Sequence, residues 1–420
     1  MKPRYKWVLI NHTFQIDYFY KRWRLLAEAH PEIDLTLIAP SKWTWGAGKR
    51  LTFGKVEVVE GKSVECDNFH IIPVSIEENR FGTWTSKEML KVIEQVKPDL
   101  VYHIGSHQQS SLMQCLKFVK RNLPKCKMVT FSMRGPNNDI LYKGSSSYPK
   151  WIAKMLYIAP KVYYTNKYSD AILCHYPDAL ESFKKEGYKG PIYMQTQVGV
   201  DTEVFKANDT LRKEIREKYN LGESYVFGSA TRFSPNKGLD DILEALPKEG
   251  NWKFLMMGGG TPEEEKNLKA HIAQLGFEEK VILPGYVDWH DMAAHWNAVD
   301  CAIHTPRTGN WTETFSLAVV QAMATGLPII GNTSGSVPYE IGPDGMIVPE
   351  QDIKALNEKI TWVLEHPQEA KLIGKKMLWR AEHCFSIRHL NDCIYDIFID
   401  ICNGVYDPQK VDMATYKVNE

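Results

Sequence analysis

An acid at position 313 opens a segment whose side chains and backbone could hold an anionic ligand. Glu313 is followed by a helical pattern that closes on Gly326, and then by the buried-strand run of residues 327–330. A helix that begins just after Glu313 points the unpaired backbone N–H groups of residues 314–317 beyond its N-terminus, where an anion can bind. Gln321 lies slightly more than two turns further on, so both side chains share a face. An ordinary amphipathic helix with a capping acid is the alternative.

Two basic side chains follow a second predicted strand. Residues 225–240 are typical of a buried strand, a loop and the start of a helix, with Arg232 and Lys237 on the loop. Ligands of open parallel sheets bind at the carboxyl ends of the strands. The planar fork of Arg and the point charge of Lys suit a diphosphate. A solvated loop with two basic residues is the alternative.

These two segments, in this order, resemble those of the retaining glycosyltransferases of family 4. Four further segments agree with the family, namely Gln197–Phe205, Phe254–Gly260, Val281–Tyr286 and Tyr339–Pro349. The resemblance covers residues 197 to about 400 well and the N-terminal half loosely. It implies the GT-B fold, an α/β architecture of two Rossmann-like domains that face a cleft.

The resemblance also implies roles for individual residues. Glu313 would hold hydroxyls of the donor sugar, while Arg232, Lys237 and nearby backbone N–H groups would stabilise the departing diphosphate. The implied donor-binding residues are Thr314, Phe315, Ser316, Leu317, Gln321, Gly258 and Gly285. The family has Glu where this chain has Gln321, whose amide can bind a ribose diol only without charge assistance. We therefore expect weaker ribose binding.

Three residues of the N-terminal half are the predicted acceptor-binding residues. Arg134 stands where the family has a His, and Arg cannot act as a base, although it could clamp a phosphate or carboxylate of the acceptor. His103 and His107 resemble the family's His-x-His after the strand that ends at residue 103. A structural salt bridge for the Arg, and a helix-capping role for one His, are the alternatives.

The sequence gives no sign of a metal site or a redox cofactor. It contains no Asp-x-Asp motif or His-rich cluster, and its 8 cysteines form no Cys-x-x-Cys pair. The prediction is therefore metal-independent chemistry with no cofactor, a UDP- or GDP-sugar being the donor substrate. The cysteines are predicted to be reduced thiols of a cytoplasmic protein.

Charge is unevenly spread along a chain whose net charge is zero. Residues 1–200 contain 29 Lys and Arg against 18 Asp and Glu, and residues 201–420 contain 22 against 33. Residues 117–167 contain eleven basic residues against one acid, interleaved with Tyr and Trp. This composition predicts docking on an anionic membrane surface, with a solvated basic face as the alternative. The expected localisation is cytoplasmic or peripheral at the inner face of the membrane.

Strands and helices are predicted to alternate, which indicates parallel sheets covered on both faces. In the first half, strands are predicted near Tyr5–Asn11, Asp34–Ala39, Leu100–Ile104, Met128–Met133 and Ala171–His175, and helices near Asp17–Ala29, Ser86–Val96, Gln109–Asn122 and Pro149–Tyr164. We expect an acceptor-binding domain at 1–200, a donor-binding domain at 201–385, and a helix at 386–420 that crosses back to the first domain.

The favoured function is a retaining transferase that moves a sugar from a nucleotide-diphosphate sugar to a glycan, lipid-linked or other acceptor hydroxyl. No nucleic acid is expected as a partner. The first alternative is a nucleotide-sugar epimerase on a related fold. The second is a non-catalytic nucleotide-sugar-binding protein, which Gln321 and the absence of glycine from residues 11–14 favour.

Overall fold

The computed structural model describes residues 4–45, 57–78, 83–105, 109–133, 147–309 and 312–416. Within these ranges the chain forms two compact units. One unit comprises the residues up to Val198 together with those from Leu390 onward, and the other comprises Gly199–His389. Each unit contains a largely parallel sheet between helices, which confirms the α/β class.

The first unit is built on an eight-stranded sheet. Its strands and the small ribbons beside it are β1 Tyr5–Ile10, β2 Ile33–Pro40, β3 Lys42–Trp45, β4 Glu57–Glu60, β5 Val64–Cys66, β6 Phe69–Val74, β7 Glu77–Glu78, β8 Trp84–Thr85, β9 Leu100–Ile104, β10 Lys127–Phe131, β11 Ala171–Cys174 and β12 Ile192–Met194. The sheet order is β12-β11-β10-β9-β1-β2-β6-β5, and only β5 runs antiparallel to its neighbour. Continuous apolar strands such as β11 are buried throughout because helices cover both faces.

Five helices accompany these strands. They are α1 Asp17–Ala29, α2 Lys87–Val96, α3 Ser110–Asn122, α4 Tyr148–Tyr168 and α5 Pro177–Lys185. Local sequence explains their ends. The Ser86 side chain accepts the N–H of Met89 and so caps α2. Among the described residues, no helix is long and apolar enough to cross a membrane.

The second unit contains a six-stranded parallel sheet of order β15-β14-β13-β16-β17-β18. Its elements in chain order are α6 Asp209–Lys218, β13 Tyr225–Ala230, α7 Leu239–Ala245, β14 Trp252–Met257, α8 Pro262–Leu275, β15 Val281–Gly285, α9 Met292–Asn297, β16 Cys301–His304, α10 Leu317–Ala324, β17 Ile329–Asn332, α11 Val337–Ile341, β18 Met346–Val348, α12 Ile353–Glu365 and α13 Pro367–Arg380. The sheet order reverses between β13 and β16. Such a switch point leaves room for a ligand at the carboxyl ends of the strands.

A last helix, α14 Ile387–Asn403, supplies apolar side chains to the core of the first unit. Phe398 contacts the rings of Trp7 and Tyr102 edge-on, with centroids 5.2 and 5.1 Å away. Ile394 and Ile401 belong to the same buried cluster. The amphipathic pattern of α14 is therefore satisfied inside a core whose strands lie far earlier in the sequence.

One buried side chain holds both segments through which the chain leaves and re-enters the first unit. The guanidinium of Arg22, on α1, donates to the carbonyls of Thr196 and Gln197 at 2.8 and 3.1 Å, and to that of Leu390 at 3.2 Å. Asn391 accepts its Nε–H at 3.2 Å and donates to the Arg22 carbonyl at 2.9 Å. Burial lowers the pKa of Arg22 to about 10, so the side chain remains charged.

Replacing Arg22 tests this clamp. Arg22→Ala leaves the buried carbonyls of Thr196 and Gln197 without their donor, and we expect the free energy of unfolding to fall by about 3 kcal/mol or more. Urea unfolding followed by circular dichroism measures it. The matched control is Arg24→Ala on the same helix, which removes only an exposed pair with Glu28 and should leave the free energy of unfolding nearly unchanged. Equal losses for the two variants would contradict the clamp.

Candidate functional site

A buried ion pair lies at the carboxyl ends of strands β13 and β16. Lys237 ends a short turn after β13, and its Nζ donates to Glu313 Oε2 at 2.6 Å. His304, the last residue of β16, places its Nε2 3.6 Å from the same oxygen. All three side chains are less than a tenth exposed. Strand ends thus bring together two residues that the sequence placed on separate segments.

Glu313 is held as a carboxylate. Burial by itself raises the pKa of this group, but His304 and the charge of Lys237 outweigh burial and bring the pKa down to about 2. A carboxylate with neighbouring cations keeps its charge in a place where an isolated one would lose it. The group can therefore accept hydrogen bonds from hydroxyls at neutral pH.

The helix after Glu313 begins later than predicted. Helix α10 starts at Leu317, with Ser316 as its N-cap, whose Oγ accepts the N–H of Val319 at 3.4 Å. The backbone N–H of Ser316 donates to both carboxyl oxygens of Glu340, at 3.0 and 2.9 Å. The expectation of four unpaired N–H groups at residues 314–317 is therefore wrong, because a serine makes the better cap and a buried acid takes up its N–H.

The turn that leads into α11, the short helix that carries Glu340, also contacts Glu313 through the backbone. Ser336 N donates to the Glu313 carbonyl at 3.0 Å. Gly335 has φ of 55°, and a Cβ there would lie 2.1 Å from the same carbonyl oxygen. Only glycine allows this approach.

A cavity of about 300 Å³ lies beside the N-terminus of α10. Its apolar part is formed by Met257, Val287, Tyr286, Trp289 and Met292, and its polar part includes Arg232 and Gln321. Gly258 lines it with φ of 142°, and a Cβ there would lie 1.8 Å from the Thr231 carbonyl oxygen. Glycine is therefore required for the loop after β14 to pack against the loop after β13.

The predicted donor-binding residues separate into two groups. Arg232, Gly258, Leu317 and Gln321 line the cavity. The others are not part of its lining. Glu313 and Lys237 form the ion pair, and Thr314 and Ser316 are buried. The ring of Phe315 lies 5.8 Å from that of Phe385, and the carbonyl of Gly285 accepts the N–H of Gly258 at 2.9 Å. In the part of the chain that the structure describes, no carboxylate pairs with Arg232.

Of the predicted acceptor-binding residues, only His103 lies within the described ranges. It is the penultimate residue of β9, is 1% exposed, and its Nε2 lies 3.1 Å from Ser111 Oγ in the first turn of α3. Burial lowers its pKa to about 3, so its ring is neutral. Arg134 and His107 lie outside the described residues. An acceptor contact stays a prediction for all three.

Several residues of this site were missed at the sequence level. His304 could have been found, because it ends a strand as Arg232 nearly does. Tyr286 and Trp289 carry no motif, and Glu340 lies in a segment in which only a late strand was expected. Their roles arise from tertiary contacts. Across the described residues there is no group of three or more His, Cys, Asp or Glu side chains that could hold a metal ion.

A family model described as "Glycosyl transferases group 1" matches residues 212–377, within the second unit. Among curated proteins, the GDP-mannose-dependent alpha-(1-6)-phosphatidylinositol monomannoside mannosyltransferase of Mycolicibacterium smegmatis is 28% identical over 185 residues, 42% of this chain and 48% of that protein. Trehalose synthase of Pyrococcus horikoshii is 27% identical over 212 residues, 48% of each. The chain thus spans about half the length of the curated relatives it matches.

Solved structures resemble the chain over nearly all of its length. HepE of Anabaena, determined in complex with UDP, aligns with a TM-score of 0.69 and 17% identity, and covers 94% of this chain and 100% of its own. At this identity the likeness concerns the fold. It includes the first unit, which the family match does not reach.

The buried ion pair makes a prediction about stability. Lys237→Met leaves the Glu313 carboxylate buried without its partner, so we expect the free energy of unfolding at pH 7 to fall by about 3–5 kcal/mol. Adding Glu313→Gln should restore most of that loss. Because the pKa of Glu313 is about 2 in the folded protein, against an ordinary 4.5, its contribution is complete above pH 4.5 and is lost as pH falls towards 2.

The control is the exposed pair of Lys206 and Glu203, whose removal should cost under about 1 kcal/mol. Urea titrations of the four proteins of the cycle supply the coupling free energy. A coupling near zero between Lys237 and Glu313 would contradict the structural pair.

Proposed function

Because this chain is a group 1 glycosyl transferase with the GT-B fold, we propose that it moves a sugar from a nucleotide-diphosphate sugar to a hydroxyl of a lipid-linked or glycan acceptor. The observation that carries the proposal is the cavity beside α10, with Arg232 on its wall and the Glu313–Lys237 pair close by. The cavity and the pair together supply an apolar pocket, the guanidinium of Arg232 and a buried carboxylate within the second unit.

The donor's nucleoside fits the cavity. A base can lie against the apolar side chains of Met257, Tyr286 and Trp289, which is how aromatic and sulfur-containing side chains bind flat rings. Gln321, 5% exposed and on the same wall, offers an amide to the ribose diol. UDP in HepE and GDP-mannose in the mycobacterial relative are the precedents for the donor class.

The diphosphate is proposed to lie towards α10. Arg232 supplies a charged fork, and Leu317 and Ala318, in the first turn of the helix, line the cavity where their N–H groups can meet phosphate oxygens. Lys237 adds positive charge near the sugar end. These groups are fixed before the reaction, so they stabilise the developing charge without reorganising.

The chemistry follows from the bonds that change. The bond between the anomeric carbon and the phosphate oxygen breaks, and its electron pair leaves with the diphosphate. The acceptor hydroxyl oxygen bonds to the same carbon and gives its proton to a departing phosphate oxygen. Glu313 holds sugar hydroxyls through this step. Retention of anomeric configuration, and the absence of a metal requirement, rest on the family resemblance and on the positive groups already present.

The acceptor is proposed to be presented at a membrane by helix α4 of the first unit. Tyr148, Ile152, Leu156 and Tyr163 recur at intervals that share one helix face, and all four are exposed, Leu156 by 75%. Burial of other apolar residues anchors α4, so this face is free of the core of its unit. The name of the mycobacterial relative specifies a phosphatidylinositol-based acceptor, a lipid of the kind such a surface would meet.

Three lysines form a second stripe on the same helix. Lys150, Lys154 and Lys161 share a face, and Lys161 Nζ lies 3.8 Å from the ring centroid of Tyr157. A lysine beside an exposed tyrosine, as Lys161 is beside Tyr157, suits the boundary between anionic head groups and acyl chains. The proposed partner is therefore an anionic lipid surface.

The test of the function is release of nucleoside diphosphate from a panel of UDP- and GDP-sugars, with and without lipid-linked and glycan acceptors. Release that depends on acceptor, with transfer of labelled sugar, supports the transferase. A change of the sugar without release would indicate the epimerase, and binding without turnover the non-catalytic alternative.

Arg232 provides the sharpest activity prediction. Arg232→Ala should lower kcat by about 10²-fold, the scale on which one preorganised charge-stabilising group acts. Arg121→Ala, an exposed arginine of the first unit, is the control and should leave kcat unaltered. Gln321→Glu should lower the KM for the donor by restoring charge to the ribose contact, and EDTA should have no effect. Near-normal turnover by Arg232→Ala would reject the donor site.

The lipid surface is tested by reversing three charges. The triple variant Lys150→Glu, Lys154→Glu and Lys161→Glu should lose sedimentation with liposomes containing acidic lipid, since each lysine contributes about 1 kcal/mol near such a surface. Binding of the unaltered protein should weaken with added salt. The control carries the same three reversals in the second unit, at the exposed Lys213, Lys354 and Lys359.

Circular dichroism verifies folding of both triple variants. If both triple variants lost liposome binding equally, the net charge of the protein alone would account for that binding. An unaltered protein that ignores acidic liposomes at low salt would contradict the proposal.

A further inference from the structure

We infer that Glu340 is a positioning residue of the transferase. Its buried carboxyl fixes the backbone that carries Glu313 and so sets the direction of the Glu313 carboxylate, without touching the substrate. The inference rests on the proposed function for its effect on turnover, and on the structure alone for its effect on geometry.

The carboxyl of Glu340 is fully enclosed. It is 0% exposed, and its oxygens accept the backbone N–H of Ser316 at 3.0 and 2.9 Å and the hydroxyl of Ser336 at 2.5 Å. A buried carboxyl is costly unless its hydrogen bonds are satisfied. Here the bonds fix one particular atom of the site, the Ser316 nitrogen, three residues after Glu313.

A second tie lies at the other end of the same segment. Ser336 N donates to the Glu313 carbonyl at 3.0 Å, and Gly335 packs against that carbonyl too closely for any side chain. The residues from Glu313 to Ser316 are therefore bound at both ends to one turn. That turn cannot shift without moving Glu313 relative to Lys237.

Helix α13 holds the turn from behind. Arg380 Nε donates to the Glu340 carbonyl at 2.8 Å, and its Nη2 donates to the Tyr339 carbonyl at 2.6 Å. The same guanidinium lies 5.4 Å from the ring centroid of Phe385. The support for Glu313 thus runs from α13 through the turn to the loop after β16, and the carboxyl of Glu340 is its last link.

The proton state of Glu340 follows from its surroundings. Burial, and in addition the negative charge of Glu313, raise the pKa of Glu340 well above its ordinary range, while Lys237 opposes them. Arg380 contacts the backbone of Glu340 through the carbonyl oxygen. Two carboxylates close to a single lysine cannot both ionise without cost. These surroundings therefore favour the protonated form of Glu340, and a Gln side chain has the same shape and can make the same two contacts.

Three variants separate positioning from mere stability. Glu340→Ala should lower kcat about 10²-fold, the effect of misplacing a reacting group by about 1 Å, with little change in the KM for the donor, because the cavity that binds the nucleoside is intact. Glu340→Gln should keep kcat within about threefold, since both hydrogen bonds can be remade.

The matched control is Asp300→Asn. Asp300 also accepts a backbone N–H, that of Val226 at 2.8 Å, and it pairs with Arg212 and Arg216 at the amino ends of β13 and β16, whereas the cavity lies at the carboxyl ends. This variant should lower the unfolding midpoint and leave kcat per folded molecule unaltered. Normal kcat in Glu340→Ala at a lowered midpoint would overturn the inference, and so would a Glu340→Gln variant as slow as Glu340→Ala.

Two readouts do not need turnover. A crystal structure of Glu340→Ala should show the contact between Lys237 and Glu313 broken, whereas that of Glu340→Gln should retain it; an intact contact in the first overturns the inference.

A carboxyl whose pKa is raised by folding costs stability as pH rises above its ordinary value of 4.5. The unfolding midpoint of Glu340→Gln should therefore exceed that of the unaltered protein increasingly from pH 5 to pH 8. A constant difference would contradict the raised pKa of Glu340. Failure of the unaltered protein to turn over any donor would reject the function and leave these two results to decide the role of Glu340.

Discussion

The buried pair between Lys237 and Glu313 is the interaction on which the site in the second unit depends. Each partner makes the burial of the other tolerable, because an isolated ion in this place would be neutralised or driven to solvent. Around the pair, the sheet supplies the strand ends, the turn after β17 supplies the backbone ties, and helix α13 supports the turn. A ligand that binds here meets charges whose positions the fold has already set.

Each member of the pair has a use in the proposed reaction. Glu313 keeps its negative charge at neutral pH, so it can accept hydrogen bonds from sugar hydroxyls, and Lys237 remains close to where a diphosphate would leave. Neither side chain needs to reorient far when substrate arrives. The cost is that the loss of one partner harms folding as well as catalysis, so activity measurements on single variants need a stability measurement beside them.

Much of the architecture could be predicted from the sequence. Strands such as Ala171–Cys174 are continuous apolar runs, and α1 has the predicted bounds Asp17–Ala29 because its apolar spacing and its polar flanks agree. The family resemblance is confirmed by the match over residues 212–377. The small ribbons between residues 42 and 85 were not predicted, since strands of two to four residues carry too little periodicity to recognise.

The candidate site was predictable where a motif coincides with a strand end or with a clearly patterned helix. Arg232 follows the end of β13 and Gln321 lies in α10, and both line the cavity. The start of α10 did not, because it is decided by Glu340, an acid 24 residues away whose contact with Ser316 leaves no trace in local spacing. Sequence patterns report which elements exist, whereas the hydrogen bonds between their ends depend on the completed fold.

The division of the first unit has a consequence for biosynthesis. Its core takes Ile394, Phe398 and Ile401 from α14, and Arg22 finds its acceptors on both flanks of the inserted unit. During translation the second unit, Gly199–His389, is continuous and can fold as soon as it has emerged from the ribosome, while the first unit has to wait for residues beyond 400. Domains usually fold in the order in which they are synthesised. Here the order is inverted, and nascent chains should expose the unfinished apolar sheet of the first unit to chaperones while the second unit is already native.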